Sequence, residues 1–260
     1  MTEGNSTHEA MDNRRLIGDG TFRFACHSGV ACYRRCCHNV DMYLYPIDIV
    51  RLKNRLSMTS TAFLSGHTIT AFRENPYFPN VMMKMSDQPG KPCAFLSEDG
   101  CTVYADRPYS CRAYPVEPAF FGDTDDRFQI VCYLSRHDYC LGHHQEQEWT
   151  AQKWMDNQQM TDYNEFNAMW AQMDSLFRTN PFGPEGINSP ALKMAFMACY
   201  DIDALRRFVF ESSFLARFHV AENRLETIRQ SDIELLRLGF DWTRCFLFGQ
   251  GPLRKRRRPE

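Results

Sequence analysis

The chain has 260 residues, of which 43% are hydrophobic and 24% are charged. These fractions exclude a wholly disordered chain, and the length allows one large domain or two smaller ones. The formal net charge of −2 excludes the strong overall positive charge of a nonspecific nucleic-acid binder. No apolar run reaches the roughly 18 residues of a membrane-spanning helix, so we expect no membrane span.

The N-terminal residues 1–20 are polar and show no periodicity, so we expect a flexible arm there. They also lack the apolar core of a signal peptide, and we therefore expect a cytoplasmic protein. Thiols stay reduced in that compartment, and an odd total of eleven cysteines fits full disulfide pairing poorly. A disulfide framework is thus not expected.

Short elements are predicted on both sides of the first cysteines. The alternation in "TFRFAC" predicts a strand that leads into them. The spacing in "YPIDIVRLKNRLSM" predicts a helix, with Pro46 in its first turn and Asp48 favoured there by the helix dipole. "TSTAFLSGH" predicts a second helix that is capped by Thr59 or Ser60 and stopped at Gly66.

The remaining chain changes character near position 140. Before it, "VMMKM", "CTVY" and "FQIVCYL" predict two or three short strands between turns. After it, aromatic and Met residues at helical spacing predict helices, including one that starts at Ser189–Pro190 and one capped by Asp201. We therefore predict an α+β fold, in which a small turn-rich metal-organised module with short strands precedes an all-helical region. The predicted parts are an arm (1–20), a cysteine-cluster module (21–144), a helical region (145–250) and a basic tail (251–260).

The cysteines are concentrated in one part of the chain, since nine of the eleven lie between positions 26 and 140. Four of them fall within "CHSGVACYRRCC", which is too dense for ordinary use as small buried apolar residues. Clustered thiolates are typical of metal sites. The candidate metal ligands are Cys26, Cys32, Cys36, Cys37, Cys93, Cys101, Cys111 and Cys140.

The spacing favours iron over zinc, although both metals stay open. Structural zinc usually takes ligands from short turns such as C-x-x-C, and that spacing does not occur here. Iron–sulfur centres accept more varied spacings. Because neighbouring side chains diverge, Cys36 and Cys37 are expected to serve two metals or opposite sides of one polynuclear centre. Cys132 is not included among the candidate ligands, because its apolar "IVCYL" context also fits a core position.

Several of these stretches together resemble the YkgJ-type cysteine-cluster family, whose members are described as zinc- or iron-chelating. They are "FACHSGVACYRRCC", "LYPIDIVRLKNRLSMTSTAFL", "KPCAFLSEDGCTVYADRPYSCRAYPVEP" and "CLGH", in the family's order, over roughly 22–144. The chain departs from the pattern in the five residues between its first two cysteines. It also has Arg34 and Arg35 where the family has glycine before the pair. The resemblance implies metal binding, and a distant similarity to flagellin lysine N-methylases implies a possible methylation activity.

Two arginines in "RPYSCRAYP" are predicted to act near the cofactor. Arg107 and Arg112 flank Cys111, where a guanidinium would offset thiolate charge or dock an anionic substrate. Alternatively, they pair with nearby carboxylates and only fix the turn. The histidines that neighbour cysteines are interpreted as surface residues or as hydrogen-bonding neighbours of the ligands.

Three functions are consistent with these features. The first is a metal-binding protein with an iron–sulfur or polynuclear iron centre in a redox or enzymatic role. The second is a structural zinc module that presents its helical part to a protein partner, and the third is a metal-dependent protein lysine methylase. A protein partner or substrate is expected in each case. Nucleic-acid contact is expected only from the "RKRRR" tail, which we interpret as a disordered solubilising end.

Overall fold

The computed structural model describes residues 13–122 and 128–256 of the chain. Packing of the backbone divides it into two compact units, each made of two separate stretches. Unit 1 comprises Met1–Met42 and Met85–Ala168, and unit 2 comprises Tyr43–Lys84 and Met169–Glu260. The four sequence ranges predicted as domains stay a prediction.

The strands are short and lie mainly in the N-terminal half. In the described ranges they are β1 (Arg14–Leu16), β2 (Thr21–Arg23), β3 (Thr68–Ala71), β4 (Asn80–Met83), β5 (Leu96–Ser97), β6 (Gly100–Cys101), β7 (Val116–Gly122), β8 (Phe128–Ser135), β9 (Glu148–Thr150), β10 (Phe218–His219) and β11 (Arg254–Lys255).

The helices lie mainly in the C-terminal part, which confirms the predicted α+β class. They are α1 (Pro46–Arg55), α2 (Ser60–His67), α3 (Tyr109–Ala113), α4 (Ala151–Asn157), α5 (Thr161–Phe177), α6 (Pro190–Tyr200), α7 (Ile202–Glu211), α8 (Phe214–Arg217), α9 (Glu222–Gln230) and α10 (Asp232–Phe248). Short 3-10 turns occur at Arg35–Cys37, Tyr104–Asp106, Leu141–His144 and Gly186–Asn188.

Unit 1 is built on a three-stranded antiparallel sheet in the order β1-β8-β7 and on the separate β2–β9 pair. Its apolar core consists of Ile17, Phe22, Phe24, Val116, Cys132, Leu134 and Trp154. Cys132 therefore occupies the core position that its apolar context predicts. The indole of Trp154 donates to the Ala113 carbonyl at 2.7 Å, so the buried N–H is satisfied.

Unit 2 begins with the two helices that the sequence predicts. Asp48 accepts a hydrogen bond from the backbone N–H of Tyr45 at 2.9 Å, which fixes the start of α1. Thr59 caps α2 by accepting from Ala62 N at 3.2 Å, and α2 continues through Gly66 to His67. The predicted stop at Gly66 is therefore wrong by one residue.

Later boundaries in unit 2 show where local patterns succeed and fail. Asp201 caps α7 as predicted, since it accepts from Ala204 N at 3.2 Å. Ser189 is the N-cap residue and Pro190 the first residue of α6, as predicted, although the Ser189 side chain makes no capping hydrogen bond. The helix instead starts on the fixed φ of the proline.

Parts of both termini are ordered by strand pairing. Within the predicted arm, Arg14–Leu16 forms β1 against β8, so a flexible arm is wrong for these residues. Within the predicted disordered tail, Arg254–Lys255 pairs with β10, and that interpretation is also wrong there. Residues 1–12 of the predicted arm and 257–260 of the predicted tail lie outside the described residues.

None of the helices within 13–122 and 128–256 is long and apolar enough to span a membrane, which agrees with the sequence. The cytoplasmic location stays a prediction.

A buried ionic network stabilises unit 2 around Asp232 at the start of α10. Asp232 accepts from the Lys53 ammonium at 2.7 Å and from Arg206 at 2.6 Å. Lys53 also lies 3.3 Å from Asp203, and only 7% of its side chain is exposed. Burial tends to raise the pKa of Asp232, but the hydrogen bonds from Lys53 and Arg206 outweigh it and lower the pKa below the ordinary value.

We expect Asp232→Asn to lower the free energy of unfolding by about 2–3 kcal/mol at neutral pH, because Lys53 loses a charged partner. The folded-state pKa lies below the unfolded one, so this contribution is complete above the unfolded value and is lost as pH falls through the folded value. Urea denaturation at neutral and at strongly acidic pH measures both effects. Glu211→Gln, at an exposed residue, is the control and should change stability by less than about 0.5 kcal/mol. An equal loss at both pH values would contradict the prediction.

Candidate metal centre

The first four candidate ligands lie on a chain segment that is folded by consecutive tight turns. Backbone hydrogen bonds join Val30 N to His27 O at 3.0 Å, Tyr33 N to Val30 O at 2.8 Å and Arg35 N to Cys32 O at 2.9 Å. Arg34 has a left-handed φ of 70° just before the 3-10 turn that holds Cys36 and Cys37. These reversals compact the segment, so cysteines that are ten residues apart in sequence can approach one another.

A second segment carries Cys93 directly to the cysteine pair. Cys93 N donates to Cys37 O at 2.8 Å, and His38 forms a β-bridge with Pro92. Cys101 follows on the β5–β6 hairpin, where it pairs with Leu96. The cysteine pair and the hairpin are therefore held together by backbone pairing.

The other two candidates approach from separate elements. Leu141 N donates to the sulfur of Cys32 at 3.1 Å, which places the Cys140 segment beside the first turns. Cys111 lies on α3, and its sulfur is 3.6 Å from the sulfur of Met42. All eight candidate ligands lie in unit 1.

Four of these thiols interact electrostatically as one set, which we name the Cys36 group: Cys26, Cys32, Cys36 and Cys140. Burial and then the charges of Cys36 and Cys140 raise the pKa of Cys26 to about 11, and Cys32 adds to the effect. Burial also raises the pKa of Cys140, as do the charges of Cys32 and Cys36. Because Cys26 is exposed as a whole residue, its interactions with the neighbouring thiols are better evidence for its place in this group than burial is.

The other four candidates are linked in the same way, and we name them the Cys37 group: Cys37, Cys93, Cys101 and Cys111. The charges of Cys111 and Cys93 contribute to raising the pKa of Cys37, after its hydrogen bond with Cys36 and burial. Burial raises the pKa of Cys93, and the charge of Cys101 adds to it. Interactions of this kind require short separations between the thiols.

The two adjacent cysteines join the groups and differ in protonation. A hydrogen bond from the Cys37 thiol lowers the pKa of Cys36 to about 7, although burial opposes it. The same hydrogen bond raises the pKa of Cys37 far above the ordinary value. Cys36 therefore ionises more readily near neutral pH than Cys37 does. The thiolate is the metal-binding form.

Hydrogen-bond donors are directed at the sulfurs of both groups. Besides Leu141 N on Cys32, the backbone of Phe95 donates to Cys93 and that of Gly142 donates to Cys140. The hydroxyl of Tyr114 also donates to Cys140. Such donors stabilise thiolates and orient them as metal ligands. The sequence did not single out Tyr114 as a site residue, because only the fold brings it to Cys140.

Gly142 is required by the close packing next to Cys140. A side-chain Cβ at this position would lie 2.7 Å from Phe24 Cε2 and 2.8 Å from the carbonyl oxygen of Ala25. Ala25 N in turn donates to Gly142 O at 3.1 Å. The glycine of "CLGH" thus lets the chain that carries Cys140 lie against the chain that enters the first cysteine.

The predicted cofactor-binding arginines make their hydrogen bonds to carbonyls rather than to carboxylates. Arg112 is buried and donates to the carbonyls of Ala105 and Gln158, the latter at 2.8 Å. Arg107 donates to Tyr104 O at 2.7 Å and to the Gln158 side chain at 2.6 Å. These contacts fix the loop around α3. Burial lowers the pKa of Arg107, and the negative charge of the Cys111 thiolate opposes this lowering. Cofactor binding by Arg107 and Arg112 stays a prediction.

The donor set fits iron or zinc, both of which bind thiolate sulfur in sets of four. In the described part of the chain, no three His, Cys, Asp or Glu side chains are already arranged to hold a metal ion. The sulfurs of each group would have to draw together on binding. Metal binding in such a site is coupled to local ordering of the loops that carry the ligands.

Residues 25–158 match the CxxCxxCC family model, described as "Putative zinc- or iron-chelating domain". The match covers more than half of the chain, and the chain belongs to this family. The family assignment supports metal binding and leaves zinc and iron equally open. No curated protein and no solved structure matches the chain.

Proposed function

We propose that this protein holds two metal centres, one in each four-cysteine group, with iron as the metal. The observation that carries the proposal is the placement of the thiols by hydrogen bonds. Leu141 N donates to the Cys32 sulfur, which brings Cys140 to the first group, and Cys93 N donates to Cys37 O, which brings Cys93 to the second. The expected divergence of these two side chains is wrong, because the thiols of Cys36 and Cys37 share a hydrogen bond. One tight turn therefore places the two groups side by side. An iron centre of this kind supplies electron transfer or Lewis-acid chemistry when bound.

The surroundings of the sulfurs suit an iron centre, and the cysteine spacing favours iron over zinc. Backbone N–H groups of other residues donate to the sulfurs of Cys32, Cys93 and Cys140. They offset the negative charge of the thiolates, as is common around iron–sulfur clusters. The C-x-x-C turns that many structural zinc sites use are missing from the sequence. The spacing therefore favours iron, as an iron–sulfur cluster or as thiolate-bound iron, and the N–H donors are compatible with it.

Two structural zinc sites are the second candidate, because four thiolates also complete a closed tetrahedral zinc site. In that case the metal would stabilise unit 1, and the protein would act through a surface that it presents to a partner. Protein lysine methylation stays a prediction that rests on the distant resemblance alone.

The visible spectrum of protein purified without oxygen distinguishes the two metals. Iron predicts a brown protein with thiolate charge-transfer absorption that bleaches on reduction. A colourless protein that contains zinc and loses its fold with a chelator would overturn the iron proposal while leaving the two-group division intact.

Tyr114 offers a test of the hydrogen bonding around Cys140. Its hydroxyl also lies 3.5 Å from His143 Nε2, and burial is the main cause that keeps its pKa raised and the hydroxyl protonated. We expect Tyr114→Phe to weaken metal binding about tenfold, because the Cys140 thiolate loses a donor. Competition with a chromogenic chelator measures the affinity.

Tyr139→Phe is the matched control for this variant. Tyr139 lies near the same thiols and stacks on His137 with ring centroids 5.2 Å apart. We expect Tyr139→Phe to keep the metal affinity within about twofold, since a ring stack survives loss of the hydroxyl. Equal affinities of the two variants would show that the Tyr114 hydrogen bond does not support the centre.

A further inference from the structure

A solvent-open groove lies beside the cysteine pair and encloses about 570 Å³. One wall is the segment that follows Cys32, and the other is the β5–β6 hairpin. The lining residues are Tyr33, Arg34, Arg35, His38, Leu96, Ser97 and Glu98. The volume suits a small-molecule ligand.

The guanidinium of Arg34 is fixed in the groove wall by hydrogen bonds to uncharged groups. It donates to the carbonyls of Ser97 and Glu98, with the Ser97 contact at 2.9 Å, and it lies over the Tyr33 ring at 5.5 Å. Carbonyl oxygens satisfy the N–H donors but carry no net negative charge. The positive charge of Arg34 is therefore held in place and stays available to an anion.

Arg35 adds a second cation to the same groove. Its guanidinium lies over the Tyr139 ring with 5.4 Å to the centroid, and within the described ranges it pairs with no carboxylate. His38 Nδ1 donates to Arg34 O at 3.2 Å, which leaves Nε2 for another partner. Two arginines and one histidine thus face a single carboxylate, that of Glu98.

We propose that this groove binds a small ligand through a phosphate or carboxylate group, with Arg35 and Arg34 as the principal contacts. The planar guanidinium fork matches both oxyanions. Tyr33 and Leu96 supply apolar surface for the rest of the ligand. The proposal does not depend on which metal the protein holds.

Equilibrium dialysis of the full-length protein with labelled inorganic phosphate, and separately with labelled acetate, tests the proposal. Chloride keeps the ionic strength constant, so nonspecific screening is the same throughout. We expect saturable binding of one equivalent of at least one of the two probes. Saturation by phosphate alone assigns a phosphate ligand, and saturation by acetate alone assigns a carboxylate. Binding of both probes that rises linearly without saturation would overturn the site.

Variants on the two walls separate the groove from the metal centre. Arg35→Glu should weaken binding about tenfold or more, because attraction becomes repulsion. Ser97→Asp adds a negative charge from the exposed hairpin wall and should weaken binding about fivefold while the metal content stays unchanged. Arg23→Glu, at an exposed residue on β2, makes the same charge change as Arg35→Glu elsewhere in unit 1 and should have less than a twofold effect.

Ser97→Asp decides the outcome if Arg35→Glu disturbs the fold or the metal. Weaker binding by Ser97→Asp with full metal content supports the groove. Wild-type affinity of Ser97→Asp, or an equal loss in Arg23→Glu, overturns the proposal.

Discussion

Cys36→Ser should remove about half of the bound metal, and Cys37→Ser should remove the other half. The physical reason is that, besides their hydrogen bond to each other, the two thiols have different partners, Cys36 with Cys26 and Cys37 with Cys111. Losing one thiolate of four strongly weakens a site, while the neighbouring site keeps its complete set. Metal analysis of the two variants and of the double variant, purified without oxygen, measures the fractions.

Cys245→Ser is the control for these variants, because Cys245 lies in unit 2 and belongs to neither group. It should keep the full metal content. Combining Cys36→Ser with Cys26→Ser should cause no further loss beyond Cys36→Ser alone, since both belong to one group. Equal and complete loss from Cys36→Ser and from Cys37→Ser would instead indicate one shared centre.

Gly142→Ala should destabilise unit 1 by about 2 kcal/mol or more and reduce the metal bound by the Cys36 group. The added methyl meets Phe24, whose ring is only 2% exposed and packs against Trp154 with centroids 5.5 Å apart. Phe24 cannot move away without opening the core, and overpacking of this kind costs about 1–3 kcal/mol. The segment that carries Cys140 must shift instead, which misplaces the ligand.

Gly66→Ala is the matched control, because a Cβ at Gly66 would meet nothing within 4 Å. Gly66 lies within α2, so alanine should be neutral or should stabilise by about 0.5 kcal/mol. Denaturant unfolding and metal analysis of both variants provide the comparison. Full metal content and wild-type stability in Gly142→Ala would show that the packing at Phe24 is not needed for the site.

Local patterns predict the helices well because each boundary depends on nearby residues. Pro46 and Asp48 at the start of α1, and Thr59 and Asp201 as caps, act within a few residues of their own positions. The discontinuous units depend on distant contacts instead. Ser60, for example, donates to Asp201 at 2.6 Å, a contact that no local periodicity encodes.

The candidate site shows the same contrast. Cysteine density identified nine candidates, and the apolar context of Cys132 set it apart from the other eight. The adjacency of Cys36 and Cys37 predicted two metals or opposite sides of one polynuclear centre. Their partners could not be predicted, because they follow from the left-handed turn at Arg34 and from the backbone pairing of Cys37 with Cys93. The supporting hydroxyl of Tyr114 likewise reaches Cys140 only in the folded chain.

The number of metal equivalents per chain, measured on protein purified without oxygen, tests the two-group account most directly. The account predicts at least two equivalents of metal, since each group of four thiolates completes a site of its own. A well-folded chain that carries less than about half an equivalent of any metal would contradict it.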